Sequence, residues 1–194
     1  MKSIKDTLLV IQNAVEQFNK ESPNKAIIAL IGGYAAIYFG AARTTFDVDV
    51  CLYLPAEEPG KLFHGHLKKV LPKRFTFRFF RASKDPADPL GHDLIVINDS
   101  ANEYPRIDIL LARYTWELKG LEQAHPSQGL SFPVMPVSTL ITMKLLAGGR
   151  KDDLDILDML KEISEEDLQK TQKLAKTMGK DKKLRSLLKE IQKG

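Results

Sequence analysis

Three aspartates stand where the surrounding pattern asks for apolar or β-branched residues. Asp47 and Asp49 are two positions apart in "RTTFDVDV", which runs from Arg43 to Val50, and Asp108 sits between Ile107 and Ile109 in "RIDILL". Asp is depleted from strands, and like charges on one strand face repel. On an extended chain residues two apart point the same way, so Asp47 and Asp49 project together while Val48 and Val50 enter a core. Two carboxylates side by side with no cation between them make a hard-oxygen site for Mg²⁺. In two-metal phosphoryl-transfer sites the ions lie about 3.5–4 Å apart, a gap that carboxylates on one strand face can bridge. Such ions would also remove the repulsion. Asp108 fits either a third metal-holding carboxylate or the base for an attacking hydroxyl; pairing with Arg106 or Arg43 is the alternative.

Other residues suit phosphate. Gly32 and Gly33 fall between the apolar run "AIIALI" and "YAAIYFGAA", which reads as a short helix. Without Cβ atoms, backbone amides there can approach an anion, and a helix N-terminus adds a positive dipole end. The spacing is neither that of a Walker loop nor that of a dinucleotide-binding turn. Lys144 lies among Leu140, Ile141, Met143, Leu145 and Leu146; a lysine so surrounded either snorkels or meets an anion. Asp152 and Asp155 fit equally well as an N-cap and a first-turn acid of the next helix.

The elements that must position these residues follow from periodicity. Apolar residues at helical spacing (Leu8, Ile11, Ala14, Val15, Phe18) predict a helix over about Ile4–Phe18. Strands are predicted at "AIIALI", "FDVDVCLYL", "LIVIN" and "RIDILLA", and a helix at "KLFHGHLKKVL". "RFTFRFFR" alternates: Phe75, Phe77 and Phe79 take one face, Arg74, Thr76 and Arg78 the other, a half-buried strand with a basic outer face. "SKDPADPLGHD" is turn-rich, "YTWELKGLEQA" suits a short helix, and "LSFPVMP" is extended. From Val137 onward only helices are expected. The boundary near Pro136 divides an α/β core (1–136) from a helical part (137–194) packed on it. The fold class is α/β, of the α+β kind, with a mixed sheet flanked by helices.

Bulk properties narrow the partners. The chain has 194 residues, 43% hydrophobic and 28% charged, enough for one well-cored domain. The N-terminal helix is interrupted by polar residues, unlike a signal peptide, and no run reaches the roughly 18–20 apolar residues of a membrane span. One cysteine, Cys51, excludes an internal disulfide and fits a reducing cytoplasm. Net charge is only +4, yet Lys61 to Lys84 holds eight Lys or Arg and no acid. Such a run suits either a phosphate-rich partner or a solvated cationic face. His64 and His66 do not share a helix face, so zinc is not expected. Cys51, Met135, Met143, Met159 and Trp116 read as packing residues.

"IGGYAAIYFGAARTTFDVDV", followed by Asp108, resembles the nucleotidyltransferase superfamily that includes DNA polymerase β. That family carries Gly-Gly or Gly-Ser after the first strand, a paired acidic motif on the next and a third acid later. The likeness covers about 27–112. Downstream, "VSTLITMKLLAGGRKDDLDILDML" resembles abortive-infection-type nucleotidyltransferases, which include toxins of type IV toxin–antitoxin systems. The resemblance implies a minimal nucleotidyltransferase fold and Mg²⁺-dependent transfer of an NMP from an NTP, with two ions. Asp47, Asp49 and Asp108 would be the metal-binding and catalytic acids. Gly32, Gly33, Arg43, Thr45, Lys144 and Asp155 would serve the nucleotide, and Arg74 and Arg78 are candidate contacts for an RNA acceptor such as tRNA. An antitoxin protein is an implied partner, and no membrane is. Two departures from the pattern are the short chain and Gly-Gly in place of Gly-Ser. Two alternatives stay open: transfer to a small molecule, as in antibiotic-modifying relatives, and a non-catalytic nucleotide- or partner-binding module.

Overall fold

The protein is described by a computed structural model covering residues 2–83, 85, 91–127 and 129–192. Most of the turn-rich "SKDPADPLGHD" stretch (84 and 86–90) lies outside the described residues. Helix α1 (Ile4–Glu21) begins at Ser3, whose hydroxyl accepts from the Asp6 amide at 3.2 Å. It buries Leu8, Ile11, Ala14, Val15 and Phe18, the apolar stripe expected from its spacing. Then follow β1 (Ile27–Leu30), α2 (Gly32–Tyr38), β2 (Val48–Tyr53), α3 (Pro59–Val70), β3 (Phe75–Phe80), β4 (Leu94–Asp99), β5 (Ile107–Leu111), α4 (Thr115–Glu122), β6 (His125–Ser127) and β7 (Leu130–Val134). The helices α5 (Val137–Ala147), α6 (Arg150–Glu162), α7 (Glu165–Thr177) and α8 (Asp181–Ile191) close the chain. No helix among the described residues is long and apolar enough to cross a membrane.

Seven strands form one mixed sheet in the order β3-β4-β5-β2-β1-β7-β6. The pair β2/β5 is parallel, and so is β1/β7; the other neighbours are antiparallel. The extended "LSFPVMP" segment supplies β7, while β6 has no sequence signal, being three residues that include a proline.

Alternation along the strands gives the sheet two different faces. Val48, Val50, Leu52, Ile107, Ile109, Ile95 and Ile97 are buried on one face. Phe75, Phe77 and Phe79 of β3 join them, and α3 covers that end, with Gly60 against Phe79 and His64 stacked on it. His66, buried, donates to the Ala14 carbonyl of α1 at 2.8 Å, so the two histidines act separately, as expected. The opposite face carries Cys51 and the acids. Helices α2 and α4 contact its β1–β2 part, and α5 packs against both of them. Cys51 is fully buried there, and burial pushes its thiol pKa well up, as suits a packing residue.

Helix α5 differs from the rest. Ten of its eleven residues are buried, from Val137 to Leu146, so it is apolar almost all round rather than on one stripe. Its seat against α4 is close: a Cβ on Gly120 would meet Thr139 at 2.7 Å and the Met135 sulfur at 2.9 Å. Gly120→Ala is therefore expected to destabilise the protein by about 1–3 kcal/mol through overpacking. The check is a denaturant titration, in which Gly65→Ala, whose Cβ would meet no other element within 4 Å, should not destabilise.

Candidate active site

The parallel pairing of β2 with β5 puts Asp49 directly beside Asp108. Directly paired residues project from the same face, so two carboxylates become neighbours across adjacent strands. Asp47 lies just ahead of β2, which starts at Val48 rather than Phe46, and remains exposed. All three acids line one cavity of about 360 Å³ together with Gly32, Gly33, Arg43, Thr45 and Lys144. The structure thus gathers every residue that the sequence assigned to metal and nucleotide except Asp155, which lies behind the cavity wall.

Electrostatics on the acidic wall are unfavourable as they stand. Burial raises the Asp49 pKa to about 6, and the Asp108 charge adds to the rise. The Gly33 amide pulls the other way, and Asp47 adds a smaller repulsion. Asp108 is also raised, chiefly by burial, although Arg106 opposes this. Arg106 grips Asp108 through two bonds, Nε to Oδ1 at 2.7 Å and Nη2 to Oδ2 at 2.8 Å. Of the two partners open to Asp108 in the sequence, Arg106 is the one it takes. Among the described residues no three His, Cys, Asp or Glu side chains form a ready-made metal cage.

Glycine at 32 and 33 has a steric reason. Gly32 has φ +66, and a Cβ there would overlap the Asp49 carboxylate, 2.5 Å from its Cγ. At Gly33 a Cβ would meet the Thr45 hydroxyl at 2.8 Å. The pair lets α2 begin in contact with both the second acid and the loop that carries the first.

The opposite wall is cationic and is organised by a residue outside the cavity. Asp155 is 2% exposed and accepts from Lys144 Nζ at 2.6 Å and from Arg43 Nη1 at 2.9 Å. Lys144 is itself buried, with Asp152 Oδ1 at 3.4 Å. The anion that Lys144 was expected to meet is therefore carboxylate from α6. Asp152 accepts from the Gly149 amide at 3.1 Å and takes the capping role alone. Asp155, a turn further on, does not cap; it fixes two cations facing three acids.

The two arginines assigned to an acceptor part company. Alternation placed Arg74 and Arg78 on one face, but Arg74 precedes β3 and turns to the Phe75 side. There it bonds Asp99 at 2.7 and 2.6 Å and Glu103 at 2.8 Å, and lies over the Tyr104 ring. Asp99 also accepts from the amides of Ala101, Glu103 and Tyr104, and these bonds with Arg74 hold its carboxyl well below the usual range. Arg74 thus builds the β4–β5 turn and is not free for an acceptor. Arg78 is exposed on the face of the acids.

No family model matches the chain, and no curated protein matches it. Among solved structures, an antigenic nucleotidyltransferase-like protein from Paracoccidioides brasiliensis superposes with a TM-score of 0.50 at 19% identity, covering 95% of this chain and 93% of that one. The chain has the nucleotidyltransferase fold. The nucleotidyltransferase toxin MenT4 from Mycobacterium tuberculosis matches with a TM-score of 0.48 at 14% identity over 86% of this chain and 61% of that one. The antibiotic-resistance factor ANT(2'')-Ia matches at 0.43 and 12% identity over 95% and 92%.

Because Asp49 has a folded pKa near 6 against 3.8 when unfolded, the folded state binds the extra proton between those values. Stability contributed by this group is therefore present at low pH and lost as pH rises through about 6. Asp49→Asn should raise the metal-free melting temperature by several degrees at neutral pH, corresponding to at most about 3 kcal/mol. The gain should vanish towards about pH 4; thermal scans in chelator across that range measure it.

Proposed function

We propose that this protein is a Mg²⁺-dependent nucleotidyltransferase that moves an NMP from an NTP to an acceptor hydroxyl or phosphate. The observation that carries the reading is a cavity lined by Asp47, Asp49 and Asp108 of the sheet side together with Lys144 and Arg43, Asp152 lying beside Lys144. A metal–triphosphate complex has the matching polarity, with cations towards Asp47 and Asp49 and phosphate oxygens towards Lys144 and Arg43. The donor set fits divalent ions: carboxylate oxygens only, with Asp49 and Asp108 both raised in pKa chiefly by burial. Bound there, Mg²⁺ would neutralise phosphate charge and polarise the α-phosphorus.

The chain's own residues do the rest. Lys144 and Arg43, fixed by Asp155, meet the triphosphate without having to be ordered at the moment of reaction. Thr45 offers a hydroxyl where a Gly-Ser motif would have offered its serine. The acceptor oxygen attacks the α-phosphorus, the α–β bridging P–O bond breaks, and pyrophosphate leaves. Asp108 is placed to take the acceptor's proton on a carboxylate oxygen, since each oxygen keeps a lone pair beyond its bond to Arg106.

Incubation with each labelled NTP, Mg²⁺ and total RNA is expected to transfer label, and an Asp47→Ala/Asp49→Ala variant should transfer none. Equal labelling by both proteins, or none by either with any NTP, contradicts the reading. Lys144→Met should fold and lose the thermal stabilisation given by Mg²⁺ and NTP. Asp155→Ala should instead lose about 3–5 kcal/mol of stability, because it removes the nearer carboxylate of buried Lys144 and leaves only Asp152 at 3.4 Å. Thermal scans with and without ligand separate the two.

A further inference from the structure

A second cavity, of about 300 Å³, opens between α4, α5 and α7 and shares no lining residue with the cavity of the acids. Two helices turn stripes at helical spacing towards it: Trp116, Lys119, Gly120 and Gln123 on α4, and Lys170, Lys173, Leu174 and Thr177 on α7. A stripe turned towards neighbouring helices is ordinarily apolar. These two carry indole, amino, amide and hydroxyl groups instead. Among the described residues no carboxylate lines the cavity.

The first turn of α5 adds the most buried part of the lining. Ser138 and Thr139 are each 4% exposed, and their hydroxyls make no hydrogen bond among the described residues. The N-cap of α5 is Pro136, which offers no side-chain acceptor to the first-turn amides. The indole N–H of Trp116 is buried and also lacks an acceptor. Buried donors left unpaired in one place require a reason. Lys170 is committed to Glu166 and Asp167 of its own helix. Lys119 and Lys173, both exposed, have no carboxylate partner among the described residues.

A helix N-terminus with free hydroxyls on it and uncommitted ammonium groups beside it is suited to phosphate. Trp116 and Leu174 supply apolar surface for a body attached to that phosphate. We propose that this cavity binds a small phosphomonoester with an aromatic or apolar body. Its phosphate oxygens accept from Ser138, Thr139 and the start of α5, while Lys119 and Lys173 balance its charge. The volume lies at the lower end of the range for ligand pockets, enough for a ring and one phosphate. The site stands apart from the transfer reading, because Asp47, Asp49, Asp108, Lys144 and Arg43 take no part in it. Helix α5 is the wall that the two cavities have in common, lining the other through Leu140, Met143 and Lys144.

Trp116 is the chain's one tryptophan, so its emission reports on this cavity directly. The test titrates the full chain, in chelator, with phenyl phosphate, inorganic phosphate and uncharged benzyl alcohol. Phenyl phosphate is expected to give a saturable change in emission that weakens as salt is raised. Inorganic phosphate should bind more weakly, and benzyl alcohol should give no change over the same range. Lys144→Met, which removes a cation of the other cavity, should bind phenyl phosphate as the wild type does. Thr139→Val, close in volume, should weaken binding roughly tenfold. Lys119→Ala/Lys173→Ala, at two exposed positions, should weaken it roughly fivefold or more. Thermal scans check that each variant is folded. An absent or non-saturable change in wild type overturns the proposal, as does an equal response to benzyl alcohol. Loss of the response in Lys144→Met assigns the phosphate to the other cavity and also overturns it, as does unchanged affinity in the folded lysine variant. Inorganic phosphate binding as tightly as phenyl phosphate overturns the organic ligand in favour of the free ion.

Discussion

The parallel, in-register pairing of β2 with β5 is the constraint from which the rest follows. It sets Asp49 against Asp108 on one sheet face, with Asp47 just ahead of the strand. Carboxylates so placed repel, and partial burial makes Asp49 and Asp108 harder to ionise. In the free protein the strain is shared between a raised Asp49 pKa and the two bonds from Arg106 to Asp108. A sheet selected for stability alone would not keep this arrangement. It becomes intelligible if the wall is completed by cations that the chain does not supply.

The cationic wall solves the converse problem. Lys144 projects from a helix that is buried almost throughout, where an unpaired ammonium would not be tolerated. Asp155 satisfies it and binds Arg43 at the same time, joining α5, α6 and the loop before β2 through one carboxylate. The helical part of the chain is therefore an integral wall of the cavity. Acids from the sheet and cations from the helices face each other across a space that neither alone could form.

Much of this was legible in the sequence, for identifiable reasons. The alternation of Phe75, Phe77 and Phe79 with Thr76 and Arg78 has period two and survives folding intact. Gly32-Gly33 signalled close backbone approach, and the structure shows what approaches: the Asp49 carboxylate and the Thr45 hydroxyl. Long-range pairing left weaker traces. Asp155 as holder of Lys144 and Arg43 could not be told from a capping acid, because both roles place an Asp near a helix start. Arg74 was misassigned because alternation was carried one residue past the strand's end. The clue was Asp99, closing "LIVIND", whose burial calls for a cation, and Arg74 gives it. Strand β6 carries no periodic signal and exists only because β7 offers it an edge.

The central claim is that the acidic wall is a divalent-cation site. Crystals grown with Mn²⁺ in place of Mg²⁺, together with a non-hydrolysable NTP, test it most directly through anomalous scattering. The account predicts anomalous density between Asp47 and Asp49, with the triphosphate directed at Lys144 and Arg43. Nucleotide bound with no metal at these carboxylates, or metal bound only elsewhere on the protein, would contradict it.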